Sequence, residues 1–533
     1  MAFSATQIPY KETGYFSRIV HDYVTAEEKL QPFISFNANL NGIKQAIETR
    51  KKFNTNRPLL VKTLLQQYEQ LTVSDAVKNN IDALLDENTF TICTAHQPNI
   101  FTGHLYFVYK ILHAIKLADH LSGIFPDNKF VPVYYMGSED ADLDELGHVY
   151  INGQKHEWLT GQTGAVGRMK VDDHLIQLIN RFGGELKIHL FGDELISLLK
   201  ACYTKGETLE SATFKLVNEL FCAYGLVVLL PDNAQLKAAL IPVVEKELKT
   251  QFSHLAVTET VKNFPSEYKL QASGRDLNLF YLLDDKRERI VFDNSTFMIQ
   301  SLNLQFSLDE ILAELHAHPE RFSPNVILRP VFQELILPNI AFIGGGGEIA
   351  YWLELKKVFE QVNVPYPVLV LRNSFMIVEE EVANLSGRIG FGSKDLFRST
   401  SDLLNEVVKK HSTLQLSLTD EQSDLTTFYE KLKSTVSVLD ITLAQHVEAL
   451  SAAAQKKITA LEKKMLKAEK KKFDAQHRQL LKIKAQLFPH NNLQERVENV
   501  LPFYARYGKD FIEMIYQHSL TLEQQFVILE SAQ

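Results

Sequence analysis

Two hydrophobic patterns alternate along the first 380 residues. Amphipathic stretches, with apolar side chains every three to four positions, are typical of helices. Between them lie short apolar runs typical of buried strands, at residues 89–95, 130–136, 226–230, 340–343 and 367–371. Strands that alternate with helices favour an α/β fold with a parallel sheet. The region before residue 86 is helical in pattern and predicts no chemistry.

The alternation is interrupted twice. Residues 148–192 carry short alternating segments and glycine-rich turns, and residues 278–292 predict a hairpin whose polar turn is residues 284–288. We interpret both regions as insertions into one sheet. The predicted core is therefore residues 1–147, 196–235 and 325–378, with insertions at residues 148–195 and 236–324.

A third pattern begins after Gly392, because neither glycine nor proline recurs before Pro489. From Leu425 to Met465 apolar positions follow intervals of three, four and four, an eleven-residue repeat, and the spacing then changes to sevens. A long helix with such a seam buries it against another helix, from its own chain or from a second copy. We predict a helical coiled-coil arm over residues 379–487 and a return to the core over residues 488–533.

Charge and composition argue against nucleic-acid-binding, membrane-spanning and secreted proteins. The net charge of −9 argues against general nucleic-acid binding, although residues 456–484 are rich in lysine. That lysine-rich face is either the solvated side of the helix or a surface that binds a nucleotide phosphate or an acidic partner surface. No apolar run has membrane-spanning length, the first residues do not resemble a signal peptide, and the three cysteines lack paired spacing. We expect a cytoplasmic protein.

Candidate chemistry lies where two strands end. The first strand is followed by a turn that contains His96, Gln97, Thr102 and Gly103, and the second by the acidic loop 137–145. A βαβ unit places two such loops at one edge of a parallel sheet, where ligands of α/β proteins bind. The alternative is an ordinary strand-to-helix connection.

The acidic loop has two interpretations. Glu139 and Asp140 are candidates for binding Mg²⁺, since hard cations take carboxylate oxygens. In the other interpretation Ser138 caps a helix whose first turn contains Asp144 and Glu145.

Two further features suggest anion binding. The four glycines at residues 344–347 lie between a short strand and a helix, and such a turn offers backbone N–H groups, although it matches neither the Walker pattern nor a complete dinucleotide fingerprint. Arg329, expected beside a strand, is either a structural ion-pair partner or a fork for a substrate carboxylate.

Several collinear segments together resemble the bacillithiol-biosynthesis cysteine-adding enzymes, the cysteine ligases. They are residues 10–23, 97–103, 136–145, 164–168, 278–281, 328–330, 344–353 and 488–508. The resemblance implies a Rossmann-like core with two connective-peptide insertions and a coiled-coil arm that forms a homodimer. It also implies a reaction that joins the carboxylate of cysteine to the amine of glucosaminyl malate and gives bacillithiol.

The family's sheet is similar to that of class I aminoacyl-tRNA synthetases, which suggests carboxylate activation by ATP. His104 makes residues 102–104 look like part of the synthetase His-x-Gly-His signature, but the spacing from His96 differs.

The resemblance suggests roles for the candidate residues. The predicted catalytic residues are His96, Gln97, Glu139 and Asp140. The predicted substrate-binding residues are Thr102, Gly103, Gly344, Gly345, Gly347 and Arg329, the last for a malate carboxylate. A second nucleotide pocket, for ATP or ADP, is predicted at Asn491, Asn492 and Arg496, where the arm rejoins the core. Two alternatives are a non-catalytic dimeric scaffold and a nucleotidyl transferase that acts on another substrate.

Overall fold

The computed structural model describes residues 3–272 and 274–531. The chain divides into two compact units. The first contains Phe3–Met376 and Asn492–Val527, and the second contains Ile377–Asn491 with the residues after Val527. The division falls inside the strands Ser374–Val378 and Phe526–Ser531.

A five-stranded parallel sheet is the centre of the first unit. Its strands, numbered in chain order, are β1 (Thr89–His96), β2 (Lys129–Met136), β3 (Val227–Leu229), β4 (Asn339–Gly344) and β5 (Val368–Leu371). The spatial order is β3-β2-β1-β4-β5, and every neighbouring pair is parallel. This is the Rossmann order, in which the chain direction across the sheet reverses between β1 and β4. The predicted α/β fold with a Rossmann-like sheet is confirmed.

Apolar strands and amphipathic helices form the core around this sheet. Ile43 and Ile47 of helix Leu40–Arg50 and Leu117 and Leu121 of helix Leu105–Ile124 pack in one cluster with Ile92 and neighbouring strand residues. Each fully buried side chain of this size contributes about 1.5–3 kcal/mol to folding.

The remaining α-helices of the first unit surround the sheet and form most of its insertions. They are Tyr10–Thr13, Arg18–Val24, Arg57–Tyr68, Asp75–Ala83, Leu143–Leu146, Asp173–Leu186, Gly192–Cys202, Leu209–Phe221, Ala234–Ala238, Ile241–Thr250, Phe252–Asn263, Leu308–Ala317, Arg329–Ile336, Gly346–Leu353, Lys356–Val362, Leu501–Tyr507 and Lys509–His518.

Short antiparallel strands lie between the core segments. His148–Ile151 pairs with Gln154–Glu157. Leu279–Leu283 pairs with Lys286–Arg289 and with Phe322–Pro324, while Val291–Asp293, Thr296–Ile299 and Leu304–Phe306 form another sheet.

The hairpin predicted near residue 280 exists, but its turn is shorter than predicted. Asp284 adopts a left-handed conformation with φ 49°, so the chain reverses within Asp284 and Asp285 and the second strand begins at Lys286. Arg287, which the sequence placed in the turn, is therefore a strand residue.

The second unit is mainly helical, with helices Glu380–Ile389, Thr400–His411, Thr419–Ser437, Ile441–Lys470 and Asp474–Leu487. The eleven-residue repeat predicted a helix that continues through Leu439, and this is wrong. The chain reverses there because the Asp440 side chain accepts the Thr442 N–H at 2.8 Å and begins a new helix. Gln455 then donates to Thr426 at 2.9 Å, so the two long helices form an antiparallel pair.

Among the described residues, no helix combines the length and the apolar character needed to cross a membrane.

Candidate functional site

A cavity of about 580 Å³ lies at the carboxyl ends of the five strands. Residues that end or follow every strand line it, among them His96 at the end of β1, Glu139 after β2, Pro231 after β3, Gly347 after β4 and Arg372 after β5. The carboxyl edge of a parallel sheet, beside the reversal of strand order, is where α/β proteins bind ligands. This volume is typical of a small-molecule site.

The N-terminal segment forms one wall of the cavity through Tyr15, Phe16, Ser17 and Val20. A Cβ at Gly346 would lie 2.7 Å from Cγ2 of Val20, so glycine allows the N-terminal helix to approach the turn after β4. The sequence predicted no chemistry in this segment, and its only signal was the resemblance over residues 10–23.

His96 presents a neutral imidazole at the end of β1. Burial, together with the positive charges of Lys110 and Arg372 and the neighbouring imidazole of His104, lowers its pKa well below the ordinary value. Its Nε2 is buried and has no hydrogen-bond partner among the residues that the structure describes. A neutral imidazole offers a nitrogen that accepts a proton.

Gln97 links the ends of β1 and β2, since its Nε2 donates to Oδ2 of Asp140 at 3.0 Å. Oδ1 of Asp140 accepts the Ala141 N–H at 2.7 Å. The cap of the short helix Leu143–Leu146 is Asp142, which accepts the Glu145 N–H at 3.1 Å, and not Ser138 as the sequence suggested. Ser138 lies too far before the first helical turn to reach its N–H groups.

Glu139 is held by a buried charge network. Its carboxylate pairs with Lys237, whose side chain is only 1% exposed and also lies 3.2 Å from Oδ1 of Asp232. Arg168 binds Asp232 in a bidentate manner, at 2.7 and 2.8 Å. Burial raises the pKa of Glu139, and Lys237 opposes that shift. Within residues 3–272 and 274–531, no group of three or more His, Cys, Asp or Glu side chains is arranged to hold a metal ion, and the role of Mg²⁺ stays a prediction.

The turn at residues 164–168 supports the acidic loop. The Val166 N–H donates to the Asp140 carbonyl at 2.7 Å and the Gly167 N–H to the Ser138 carbonyl at 2.9 Å. A Cβ at Gly164 would lie 2.4 Å from the Asp285 carbonyl oxygen, at the tip of the hairpin in the second insertion. The hairpin therefore packs on this turn, and the turn fixes the loop that carries Glu139 and Asp140.

Three arginines line the cavity without an ion-pair partner in the described part of the chain: Arg287, Arg329 and Arg496. Arg287 stacks on Phe280, with the guanidinium 3.8 Å from the ring centroid, and Arg496 lies 5.2 Å from that of Phe16. Guanidinium groups that line a cavity and form no ion pair are suited to binding a carboxylate or a phosphate.

Arg329 was expected beside a strand, but it is the first residue of helix Arg329–Ile336. Pro330 explains the difference, because proline favours the start of a helix. It donates to the neutral acceptors Gln333, at 3.2 Å, and Tyr351, at 2.9 Å. The structural ion-pair alternative is therefore wrong.

Several predicted site residues lie outside the cavity lining. Thr102 is buried, and Gly103 turns its carbonyl toward the Asn499 amide. His104 places Nδ1 3.1 Å from the Val497 carbonyl oxygen. Gly344 is the last residue of β4, and its carbonyl accepts the Arg372 N–H at 2.8 Å. These residues belong to the turn after β1 and to the end of β4, and they do not line the cavity.

The glycine turn offers less to an anion than the sequence suggested. The Gly345 N–H is already bound by the Glu348 carboxylate at 2.8 Å, so a ligand does not find it free. Gly346 and Gly347 line the cavity.

The three residues predicted for a second nucleotide pocket have different surroundings in the structure. Arg496 lines the main cavity. The Asn492 side chain accepts its neighbour's N–H, from Leu493, at 2.9 Å. Asn491 belongs to the second unit. The nucleotide pocket itself stays a prediction.

Comparison with known proteins gives a consistent result. The model described as "Bacillithiol biosynthesis BshC, N-terminal Rossmann-like domain" matches residues 3–373, and the model described as "Bacillithiol biosynthesis BshC, C-terminal coiled-coil domain" matches residues 375–531. The chain is 39% identical over 524 residues to a Flavobacterium johnsoniae protein named "Putative cysteine ligase BshC", covering 98% of this chain and 99% of that one. A protein of the same name from Cytophaga hutchinsonii is 37% identical over 520 residues, with 97% of each chain covered.

A solved structure titled "putative arginyl t-RNA synthetase", from Campylobacter jejuni, aligns over 84% of this chain and 98% of that one, at 10% identity and a TM-score of 0.21. That score is too low to carry an argument.

Proposed function

The chain belongs to the bacillithiol biosynthesis BshC family, and from that premise we propose that it is a ligase that joins the carboxylate of L-cysteine to the amine of glucosaminyl malate. The product of this amide bond formation is bacillithiol. The observation that carries the proposal is the cavity at the strand ends with its three unpaired arginines.

The charges of the cavity match those of the two substrates. Malate contributes two carboxylates and cysteine one, and Arg287, Arg329 and Arg496 supply three guanidinium groups that form no ion pair in the described part of the chain. Charge-assisted hydrogen bonds to carboxylates are about twice as strong as neutral ones, and a guanidinium binds a carboxylate with two donors. An anionic sugar derivative is therefore well suited to this site.

The attacking amine must lose a proton as the C–N bond forms. His96 lines the cavity with a pKa lowered mainly by burial, so it is neutral and able to accept that proton. Gln97 and Asp140, joined at 3.0 Å, hold the two neighbouring strand ends in place. We assign His96 the role of general base and Glu139 and Asp140 the role of orienting the amine.

Amide formation from a free carboxylate is uphill in water, so a coupled reaction is required. ATP, when bound, supplies the activation of the cysteine carboxylate. Gly346 and Gly347 are the groups at the cavity that would fit its phosphates. The oxygen that cysteine loses would leave in the phosphate or AMP released from ATP, and the amine proton would pass to His96.

We also propose that the arm forms a homodimer. Apolar seam residues of the helical pair remain substantially exposed in the single chain, with Phe428 at 55%, Leu450 at 46% and Leu461 at 48%. An apolar stripe of this kind is typical of helices that pack against a further helix.

The test is reconstitution with purified wild-type protein, cysteine, glucosaminyl malate, ATP and Mg²⁺, followed by mass spectrometry. We expect bacillithiol, and with ¹⁸O in the cysteine carboxylate we expect one labelled oxygen in released phosphate or AMP. Substrate binding without product under any nucleotide would contradict the ligase and favour the scaffold. Pyrophosphate exchange that does not require cysteine or the sugar would favour a nucleotidyl transferase.

A further inference from the structure

One carboxylate of the cavity is fixed more firmly than a surface side chain would be. Oε2 of Glu348 accepts hydrogen bonds from Lys110 Nζ at 2.6 Å and from the Gly345 N–H at 2.8 Å. Lys110 is 2% exposed and also donates to the Ala95 carbonyl at 2.6 Å. These contacts join the end of β1 to the helix after β4, so they hold Glu348 at the reversal point of the strand order.

The second oxygen of the Glu348 carboxylate, Oε1, is available for a hydrogen bond from a ligand. Oε1 of Glu348 accepts no hydrogen bond from any residue that the structure describes, and the side chain is 25% exposed where it lines the cavity. By contrast, Glu139 pairs with Lys237, and both oxygens of Asp140 accept hydrogen bonds. Glu348 thus presents a fixed and available acceptor to a ligand.

A cation and this anion lie on one side of the cavity. Tyr351 follows Glu348 by three residues on helix Gly346–Leu353, and its hydroxyl accepts from Arg329 at 2.9 Å. Residues three apart on a helix are neighbours on its surface. Arg329 and Glu348 therefore provide a positive and a negative group for the two ends of an α-amino acid.

We propose that Glu348 binds the α-ammonium group of the amino-acid substrate, with Arg329 facing its carboxylate. This inference rests on the proposed ligase function and deepens it. Arg287 and Arg496 are then the groups left for the malate carboxylates.

The assignment solves a chemical problem of the reaction. Cysteine and glucosaminyl malate each carry an amine, and the reaction requires that the sugar amine attacks and the cysteine amine does not. A carboxylate stabilises an ammonium group and keeps it protonated, which makes it unreactive as a nucleophile. Glu348 thereby keeps the amine of the bound cysteine from acting as a nucleophile, while the neutral His96 accepts the proton of the attacking sugar amine.

The test is calorimetric titration of the full-length protein with L-cysteine and with 3-mercaptopropionate, which has the thiol and carboxylate but no amine. Both titrations contain a non-hydrolysable ATP analogue, Mg²⁺ and a reductant. We expect the wild type to prefer cysteine and Glu348→Gln to reduce that preference about 10- to 100-fold, the effect of losing one hydrogen bond to a charged group.

The matched control is Glu145→Gln, which removes the same charge from the same cavity and should leave the cysteine-to-mercaptopropionate ratio unchanged. Glu348→Asp retains the charge but withdraws the oxygen, and it replaces Glu348→Gln if thermal melting shows the latter to be unfolded. We expect Glu348→Asp to weaken cysteine binding and to leave mercaptopropionate binding within about threefold.

Three results would overturn the inference: an unchanged ratio in Glu348→Gln, no preference for cysteine in the wild type, or a larger loss of affinity for glucosaminyl malate than for cysteine. Bacillithiol formation by the wild type, measured separately, distinguishes failure of this inference from failure of the ligase function.

Discussion

Gly167 lies in direct contact with Ser138: its N–H donates to the Ser138 carbonyl at 2.9 Å, and a Cβ at Gly167 would lie 2.4 Å from the Cβ of Ser138. Ser138 precedes Glu139 and Asp140 in the acidic loop of the cavity. Contacts this close leave no room for a methyl group unless one of the two backbones moves. The position of the acidic loop therefore depends on a glycine in the first insertion.

Gly167→Ala should displace the acidic loop and reduce ligase activity. Misplacement of catalytic groups by about 1 Å can cost about 100-fold in rate, so we expect kcat/KM to fall about 10- to 100-fold. Gly161→Ala is the matched control, since a Cβ there meets no atom within 4 Å. Steady-state kinetics with product detection measures both variants. Equal activity of the two would show that the Gly167 contact does not position the site.

His113 should make the stability of the protein depend on pH. Its Nε2 lies 2.7 Å from the Thr521 carbonyl and its Nδ1 accepts the Asn373 N–H at 3.1 Å, while burial lowers its pKa from 6.5 to about 4. The unfolded chain therefore binds a proton before the folded chain does. The contribution of His113 to stability is complete above about pH 6.5 and declines as the pH falls from 6.5 to 4. At pH 5 we expect the free energy of unfolding to be lower by about 2 kcal/mol.

His113→Gln keeps a donor toward Thr521 but does not titrate. Melting temperatures measured between pH 7 and 5 should fall less in this variant than in the wild type. His120→Gln, at an exposed position on the same helix, should follow the wild type. A wild-type slope in His113→Gln would refute the assignment.

The arm should determine the oligomeric state. Leu450→Glu combined with Leu461→Glu places charges on the exposed seam, and we expect it to convert a dimer to a monomer in sedimentation at micromolar concentration. Leu190→Glu changes a leucine that is 84% exposed in the first unit and should remain dimeric. A monomeric wild type would reject the dimer.

Local sequence patterns were sufficient to predict the sheet and its polar edge. Uncharged runs identified the strands, and the polar residues after β1 and β2 do line one cavity, as for His96 and Asp140. This works because burial on both faces makes parallel strands continuously apolar.

The features of the fold and the site that the sequence did not predict depend on contacts between segments that are distant in the chain. Arg287 was assigned to a turn because five charged residues follow Asp284 in sequence, and only the two-residue reversal places it in a strand. Lys237 had no motif to mark it, and the bond between Gly345 and Glu348 depends on side-chain conformation. The turn at Asp440 was hidden because the apolar repeat continues across it.

The central claim is that ligation takes place in the cavity at the strand ends, and Arg287 tests it most directly. Arg287 and Arg289 lie on the same hairpin strand, but only Arg287 lines the cavity, and Arg289 is exposed. Bacillithiol formation, followed by mass spectrometry, should show KM for glucosaminyl malate raised about 10- to 100-fold in Arg287→Ala, because a hydrogen-bonded charge is lost, and unchanged in Arg289→Ala. Wild-type kinetics in Arg287→Ala would contradict the account.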